Sequence, residues 1–252
     1  MSPARTRARS LTERAIVLKR FQFGESSLVV HLLTPRAGRV HLLAKGVFRP
    51  TNGSFSALDL FDTVDVEWRP SRSGAMPPLK KARVVTSRRR LARELDRYRA
   101  ARSILHLAGL GSREGDGDPD LHGWTELALD ALGAPGVDVN LVRLSYVLGF
   151  LECLGLGIVL EGCASCGTHD PATTKAGAPF SIPSGGRLCP VCARSAQRVE
   201  TVGLDVLRIA GRMGRGGKLK GLKLSERQAK ELERLTQRFL AWHVEPRRST
   251  SR

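Results

Sequence analysis

Hydrophobic and polar positions alternate in the first third of the chain, and this alternation predicts β-structure. It is strictest in residues 62–68, where valines and a tryptophan occupy one side and Asp65 and Glu67 the other. Pro35 and Gly38 are residue types of a turn, so the runs on either side of them are predicted to form a hairpin. The β-rich runs occupy residues 15–18, 27–33, 39–45, 62–68 and 80–85.

Five short strands within about 70 residues favour a small barrel that is closed or partly open. The oligonucleotide-binding (OB) fold is the leading interpretation and an SH3-like barrel is the alternative, because the strand count does not separate them. We therefore expect an OB-fold domain over residues 13–86, preceded by a flexible basic arm over residues 1–12.

Beyond the predicted barrel, apolar residues recur every three to four positions, which predicts helices. One helix is expected through the Arg- and Ala-rich segment that ends near Gly109, and a short one over residues 124–132. Residues 139–156 are strongly apolar with few charges, which indicates a helix buried among others. Ser225 and Gln228 form a capping-box pattern, which predicts that the last helix begins there.

These elements predict an α+β protein of several domains. An α-helical domain is expected over residues 87–158 and 199–245, with an insertion over residues 159–198 between its two parts. The segments expected to be exposed or flexible are residues 111–120, 214–223 and 246–252.

The insertion contains four of the five cysteines, arranged as two Cys-x-x-Cys pairs. Cys163 and Cys166 form the first pair, Cys189 and Cys192 form the second, and 22 residues separate the pairs. Two such pairs can close a tetrahedral shell of four thiolates, which Zn²⁺ favours in structural sites. We therefore predict a zinc-ribbon-like module with one structural Zn²⁺ per chain. Two redox pairs or four free thiols are the alternatives, and Cys153 is interpreted as a buried apolar thiol.

The chain is strongly basic, which indicates a polyanionic partner. It holds 41 Lys and Arg against 24 Asp and Glu, a formal net charge of +17. The excess lies in residues 1–90 and 161–252, whereas residues 91–160 carry more acidic than basic side chains. Basic side chains beside the strands of a small barrel would form a track for a phosphate backbone. The predicted DNA-contacting residues are Lys19, Arg20, Arg36, Arg39, Lys45, Arg49, Lys80, Lys81, Arg83, Arg88, Arg89 and Arg90.

Aromatic residues near the predicted strand ends are candidates for stacking on nucleobases. The candidates are Phe21, Phe23, Phe48 and Phe55. Packing in the barrel core is the alternative for each of these rings. His31 and His41 stand on the two arms of the predicted hairpin and are expected to be surface or cross-strand residues.

The sequence contains no convincing catalytic constellation. The Gly-rich basic loop lacks the first glycine and the final Ser or Thr of a Walker A motif. The acidic segment 116–120 does not lead to the Glu that completes a calcium-binding loop, and no nucleophile elbow is present. We therefore expect a non-enzymatic binding protein. With no run of 18 apolar residues and no apolar segment behind the basic N-terminus, a cytoplasmic location is expected.

Several short motifs, in this order and spacing, resemble the RecO family of bacterial recombination mediators over most of the chain. The motifs are AIVLK at 15–19, GESS at 24–27, Gly38, AKG at 44–46, FLECLGL at 150–156, CASCG at 163–167, Phe180 and GGRLCPVC at 185–192. The basic N-terminal extension and the 214–223 loop depart from the family pattern, and the C-terminal helix matches it weakly.

The resemblance implies an N-terminal OB-fold domain, an α-helical domain and a zinc-binding insertion. It also implies binding of single- and double-stranded DNA and annealing of complementary strands. Together with RecR, such proteins help to load the RecA recombinase onto DNA coated by single-stranded DNA-binding protein (SSB). They recognise the acidic, hydrophobic C-terminal tail of SSB, for which the resemblance assigns no residues in this chain. A cytoplasmic, nucleoid-associated location is implied by this role.

Two other functions stay open from the residues alone. A zinc-ribbon protein that binds RNA or the ribosome would share the basic charge and the four cysteines, although the large apolar helical portion does not favour a small ribosomal protein. A metal-dependent nuclease would need a cluster of acidic ligands, which the sequence does not show.

Overall fold

The structure is a computed structural model and describes residues 10–47, 58–71, 75–169, 177–214 and 219–244. The chain divides into two compact units, residues 1–135 and 136–252. Within the described residues, the first unit contains five strands and two α-helices, and the second contains three short strands and four α-helices. The protein is therefore of the α+β class, as predicted. None of the described helices is long and apolar enough to cross a membrane.

The first unit is built around a five-stranded antiparallel barrel. Its strands are β1 (Leu11–Phe23), β2 (Ser27–Thr34), β3 (Gly38–Ala44), β4 (Thr63–Trp68) and β5 (Leu79–Thr86), in the order β3-β2-β1-β4-β5. This order places the fourth strand beside the first, which is a Greek key. A parallel bridge between Leu43 and Pro78 joins the two edges of the sheet. A partly open, five-stranded Greek-key barrel is an OB-fold, so the structure favours this interpretation over an SH3-like barrel.

β1 is long because it pairs with two different strands along its length. Its first half pairs with β4 and its second half with β2. A register shift between Val17 and Lys19 separates the halves, and such a bulge bends a strand so that the sheet can close. Leu11 and Thr12 belong to this strand although the sequence assigned them to the flexible arm, because they pair with residues of β4.

Two helices follow the barrel. A short 3-10 turn at Arg89–Ala92 leads into α1 (Leu95–Gly111), which is followed by α2 (Pro119–Gly133). α2 begins five residues before the predicted helix, because Asp118 caps it by accepting the Leu121 N–H at 2.9 Å. Proline suits the first helical position, so the end of the acidic segment is a helix start and not an exposed loop.

The helices cover part of the outer side of the barrel. Ile16, Leu18 and Leu33 lie outside the barrel interior on β1 and β2, yet all three are buried. α1 contacts β1, and α2 contacts β2. A Cβ placed on Gly109 of α1 would lie 4.0 Å from Leu18 Cδ1, so the helix approaches the strand closely. Removing these apolar side chains from water stabilises the first unit as a whole.

Arg88 forms a buried polar junction between the barrel and α2. Its residue is 6% exposed, and its backbone N–H donates to Asp62 Oδ1 at 2.6 Å. The guanidinium donates to Phe61 O at 2.9 Å, to Thr63 Oγ1 at 2.8 Å and to Asp130 Oδ1 at 2.7 Å. Burial raises the pKa of Asp62, and the Arg88 backbone N–H opposes that rise. The guanidinium of Arg88 is therefore buried and occupied by contacts within the protein, which contradicts its prediction as a DNA-contacting residue.

The second unit packs its long helices together. They are α3 (Val139–Cys153), α5 (Leu204–Gly211) and α6 (Glu226–His243). Nearly every residue from Leu141 to Leu151 is buried, as the apolar pattern predicts. Arg143 of α3 pairs with Glu233 of α6 at 2.7 Å. The predicted capping box at the start of α6 is confirmed.

Some predictions concern residues outside the described ranges. They are Phe48, Arg49, Phe55, residues 1–9 of the basic arm, residues 215–218 of the basic loop and the tail 246–252. The grouping of all long helices in one domain, over residues 87–158 and 199–245, stays a prediction.

Replacing Arg88 by methionine (Arg88→Met) should lower the free energy of unfolding by about 3–5 kcal/mol, because it leaves buried acceptors without their charged donor. Urea unfolding of the full chain measures this. The exposed neighbour offers a matched control, and Arg90→Met should change stability by less than about 0.5 kcal/mol. Equal effects of the two substitutions would contradict the internal role of Arg88.

Candidate metal centre and nucleic-acid interface

The cysteine-rich segment of the second unit folds around a three-stranded sheet. Its strands are β6 (Ala178–Ser181), β7 (Gly186–Arg187) and β8 (Val199–Val202), in the order β7-β6-β8. β6 pairs antiparallel with β7 on one side and with β8 on the other. The second cysteine pair lies at the start of α4 (Pro190–Ser195), a helix of six residues.

The four cysteines form one cluster. The Sγ atoms of Cys163, Cys166, Cys189 and Cys192 all lie within 4.8 Å of one another. A tetrahedron of sulfurs about 2.3 Å from a zinc ion has edges of about 3.8 Å, and Cys166 Sγ lies 3.9 Å from Cys189 Sγ. A single cluster favours a metal centre over two separate redox pairs.

Backbone hydrogen bonds shape the two cysteine turns. Gly167 adopts a φ of +73° and donates its N–H to Cys163 O at 2.9 Å, which turns the chain back after the first pair. The Cys189 N–H donates to Cys163 Sγ at 3.3 Å, and the Cys192 N–H donates to Cys189 Sγ at 3.4 Å. The N–H donated to Cys163 Sγ favours the thiolate form of that side chain.

Hydrogen bonds and neighbouring thiols shift the pKa values within the cluster in opposite directions. Burial raises the pKa of Cys163, but the backbone N–H groups of Cys166, Cys189 and Ser165 outweigh it and lower the pKa to about 6. The side chains of Cys189 and Cys166 raise the pKa of Cys192 to about 12. Four thiolates at these distances repel one another, and a divalent metal relieves the repulsion. The donor set therefore fits the predicted zinc, whose identity stays a prediction.

The cations of β5 face carboxylates of β4. Asp65 lies directly opposite Arg83, and Glu67 directly opposite Lys81, in the antiparallel register. Each carboxylate is shared by two cations. Lys81 and Arg83 stay largely exposed, whereas about two-thirds of the Lys80 side chain is covered. The ion pairs are Arg83–Asp65 at 2.7 Å, Arg14–Asp65 at 3.6 Å, Lys80–Glu67 at 3.8 Å and Lys81–Glu67 at 4.0 Å. We call this set the β4–β5 charge ladder. Sequence reasoning missed Arg14, which only the strand register could reveal.

A second group of predicted residues surrounds Asp59. Arg20 and Arg89 both pair with this carboxylate, Arg89 at 3.0 Å, and Arg20 also donates to Leu58 O at 3.3 Å. Arg90 is exposed beside them. This group is thus brought together by a shared acidic residue, as in the charge ladder.

The remaining predicted residues are spread over the β2–β3 hairpin and β1. The Arg36 backbone N–H in the hairpin turn donates to Glu13 Oε2 at 3.0 Å. Arg39 is half-buried, and its guanidinium donates to the backbone carbonyl of Gly109, near the end of α1, at 2.9 Å. Lys19 is exposed on β1, and Lys45 is exposed directly after β3. The predicted track is therefore divided into several groups, and their DNA contacts stay predictions.

The aromatic candidates on β1 are exposed. Phe21 and Phe23 lie on the surface and not in the barrel core. His31 lies directly opposite His41 in the hairpin, which confirms the cross-strand interpretation.

A cavity of about 700 Å³ lies in the second unit. Its lining combines apolar side chains with three arginines and one acidic residue, Glu161, and we call it the leucine–arginine cavity. The residues that define it are Leu160, Leu204, Leu207, Arg187, Arg208 and Arg212.

Comparison with known proteins covers almost the whole chain. Family models described as recombination protein O N terminal and recombination protein O C terminal match residues 9–88 and 92–252. The DNA repair protein RecO of Nocardioides sp. is 31% identical over 92% of this chain and 94% of its own length. Those of Rubrobacter xylanophilus and Symbiobacterium thermophilum are 30% and 28% identical, over 92% of this chain and 89% and 91% of their own lengths.

Replacing Cys163 by serine should abolish stoichiometric zinc binding and lower the melting temperature, because the folded cluster depends on all four thiolates. Elemental analysis and thermal unfolding of the same sample measure both effects. Cys153→Ser, on α3 and outside the cluster, serves as the control and should keep one zinc per chain. A Cys163→Ser protein with stoichiometric zinc and unchanged melting would refute the proposed metal centre.

Proposed function

Because the chain belongs to the RecO family of recombination proteins, we propose that it is a non-enzymatic DNA-binding protein of DNA repair and homologous recombination. It binds single- and double-stranded DNA, anneals complementary strands and, with RecR, helps to load RecA onto SSB-coated DNA in the cytoplasm at the nucleoid. The observation that carries this proposal is the match of both RecO models, one after the other, along a basic chain that begins with an OB-fold barrel.

Annealing is an electrostatic task that needs no catalytic group. Two DNA strands repel each other through their phosphates, and a protein that neutralises part of both charges lets them approach. A formal net charge of +17 suits this task. The exposed cations of the β4–β5 charge ladder are available for phosphates, although Asp65 and Glu67 compete for them.

The four-cysteine cluster serves the structure of the second unit. Zn²⁺ bound there would supply a rigid tetrahedral junction, and four thiolates fill its coordination shell. Cys163, Cys166, Cys189 and Cys192 would hold the metal and so fix the loop before β6 to the start of α4. We assign it no role in chemistry.

The leucine–arginine cavity supports an interaction with the SSB tail. An acidic peptide with apolar residues needs positive charge at the rim of its site and apolar contacts within it. Arg208 and Arg212 provide positive charge, which outweighs the single Glu161, and Leu204 and Leu207 provide apolar contacts. RecR and RecA are further partners in this proposal, and no residues are assigned to them.

The function is tested by annealing. The wild-type protein should accelerate pairing of complementary strands, both naked and coated with SSB, as followed by a fluorescent pair on the two strands. Coating with an SSB that lacks its C-terminal tail should remove the acceleration on coated strands only. No annealing together with tight binding of structured RNA would instead support the RNA-binding alternative, and strand cleavage stimulated by divalent ions would support a nuclease.

Neutralising the charge ladder should weaken DNA binding. The triple variant Lys80→Gln, Lys81→Gln, Arg83→Gln should bind less tightly, and the slope of log affinity against log salt should fall by about 0.9 for each duplex phosphate that the variant no longer neutralises. Titrations of duplex DNA at several salt concentrations measure this. Lys230→Gln, which removes an exposed positive charge on α6 far along the chain from the ladder, is the control and should leave the affinity and the slope unchanged. An unchanged affinity and slope would place the DNA path elsewhere.

A further inference from the structure

Four rings lie together on the outer side of the barrel, two of them exposed and two half-buried, and we call this surface the aromatic face: Phe21, Phe23, His31 and His41. Phe21 is 51% exposed and Phe23 60% exposed. Lys19, Phe21 and Phe23 alternate along β1 after the bulge and share one side of the strand. Their exposure is unusual for phenylalanine, because burying such a ring stabilises a protein by about 1.5–3 kcal/mol.

Three of the four rings, Phe21, His31 and His41, form a continuous row across three strands. Phe21 packs edge-on against His31, with the ring centroids 5.3 Å apart. His31 in turn stacks on His41 at 3.8 Å, with an angle of 27° between the ring planes. His41 Nδ1 lies 3.1 Å from Glu114 Oε1, which holds the far end of the row in place. Phe21 is therefore held in an ordered row of rings, and Phe23 follows it on the same side of β1.

The two histidines contribute as neutral rings. Burial is the main cause that lowers the pKa of His31 to about 4, followed by repulsion between the two rings when both are protonated and by the positive charges of Lys19 and Arg39. Burial also lowers the pKa of His41, although Glu114 opposes the change. At neutral pH the row is thus uncharged and π-rich, and the exposed ammonium of Lys19 stands at its edge.

The aromatic face differs from the neighbouring part of the same outer surface. Up to the bulge, Ile16 and Leu18 are buried where α1 contacts β1. After the bulge, within the part of the chain that the structure describes, no helix or strand removes Phe21 and Phe23 from solvent. The bulge therefore separates a packing surface from a surface that is available to a ligand.

We infer that the aromatic face binds unpaired nucleobases of single-stranded DNA by stacking, with Phe21 and Phe23 as the contacting rings and Lys19 beside the phosphate backbone. The inference rests on the proposed DNA-binding function and names the substrate form that this surface selects. Every base has a π-face, so stacking tolerates any sequence, whereas a duplex keeps its base faces within its own stack. The positive edge at Lys19 matches a polyanion and does not match an uncharged apolar partner.

This assignment separates two kinds of DNA contact on one barrel. The charge ladder contacts phosphates, so its contribution is the same for any strand and falls with salt. The aromatic face contacts bases, so its contribution requires a single strand and depends little on salt. The two contributions can therefore be removed one at a time.

The test compares three ligands at several salt concentrations with the full chain: a 30-nucleotide thymidine strand, an abasic strand with the same number of phosphates, and a 30-base-pair duplex. The variant Phe21→Ala, Phe23→Ala should bind the thymidine strand about tenfold more weakly or worse. Its affinity for the abasic strand and the duplex, and its salt slope, should match those of the wild-type protein.

Matched variants keep the result interpretable. Leu127→Ala removes an apolar side chain that is 62% exposed on α2, and should leave all three affinities unchanged. Phe21→Trp, Phe23→Trp should keep the preference for thymidine over abasic DNA. If the alanine variant unfolds, Phe21→Leu, Phe23→Leu keeps the apolar bulk, and it should still lose that preference.

The outcomes separate this inference from the proposed function. If the wild-type protein binds DNA but the alanine variant keeps its preference for thymidine over abasic DNA, the aromatic face is not the base site, while the proposed function stands. Equal weakening on all three ligands would also overturn the inference, because it indicates a general effect or another occupant of the face. If the wild-type protein binds none of the ligands, the proposed function itself fails.

Discussion

The first unit depends on a buried guanidinium whose acceptors lie in two places, around the start of β4 and on α2. Arg88 donates to Phe61 and Thr63, at the beginning of β4, and to Asp130 of α2. A buried cation without acceptors is costly, so the chain reaches a stable state only when barrel and helix are both in place. These polar contacts act together with the apolar packing of α1 on β1 and of α2 on β2. Both hold the two helices against one part of the outer surface of the barrel and leave the rest of it uncovered by them.

Features set by neighbours in the sequence could be predicted, and features set by distant partners could not. The hairpin around Pro35 and Gly38, the alternation in β4, the capping box at Ser225 and the two cysteine pairs are local patterns with a direct physical meaning. The start of β1 was missed because its charged residues break the alternation, and only pairing with β4 makes it a strand. Arg88 stands in a run of three arginines that is typical of a surface cluster, and its burial follows from tertiary contacts alone.

The same distinction applies to the candidate DNA interface. A net charge predicts a polyanionic partner but not where the cations are free to meet it. In the structure, Asp65, Glu67 and Asp59 take part of that charge, so the predicted track is several partly neutralised groups. The four cysteines form one cluster, as predicted, because a Cys-x-x-Cys spacing brings the two thiols of each pair close together within a single turn. The aromatic candidates needed the structure, since exposure and core packing of Phe21 look identical in a sequence.

The helices on the outer side of the barrel make the segment that folds longer than the segment that a family model matches. A family model recognises residues 9–88 by themselves, and these residues contain all five strands. A fragment that ends there would expose Ile16, Leu18 and Leu33 to water and leave Arg88 without its partner on α2. Contiguous exposed apolar surface promotes self-association. The barrel segment is therefore sufficient for a sequence match to the family, whereas a fragment that stays monomeric in water should also include α1 and α2.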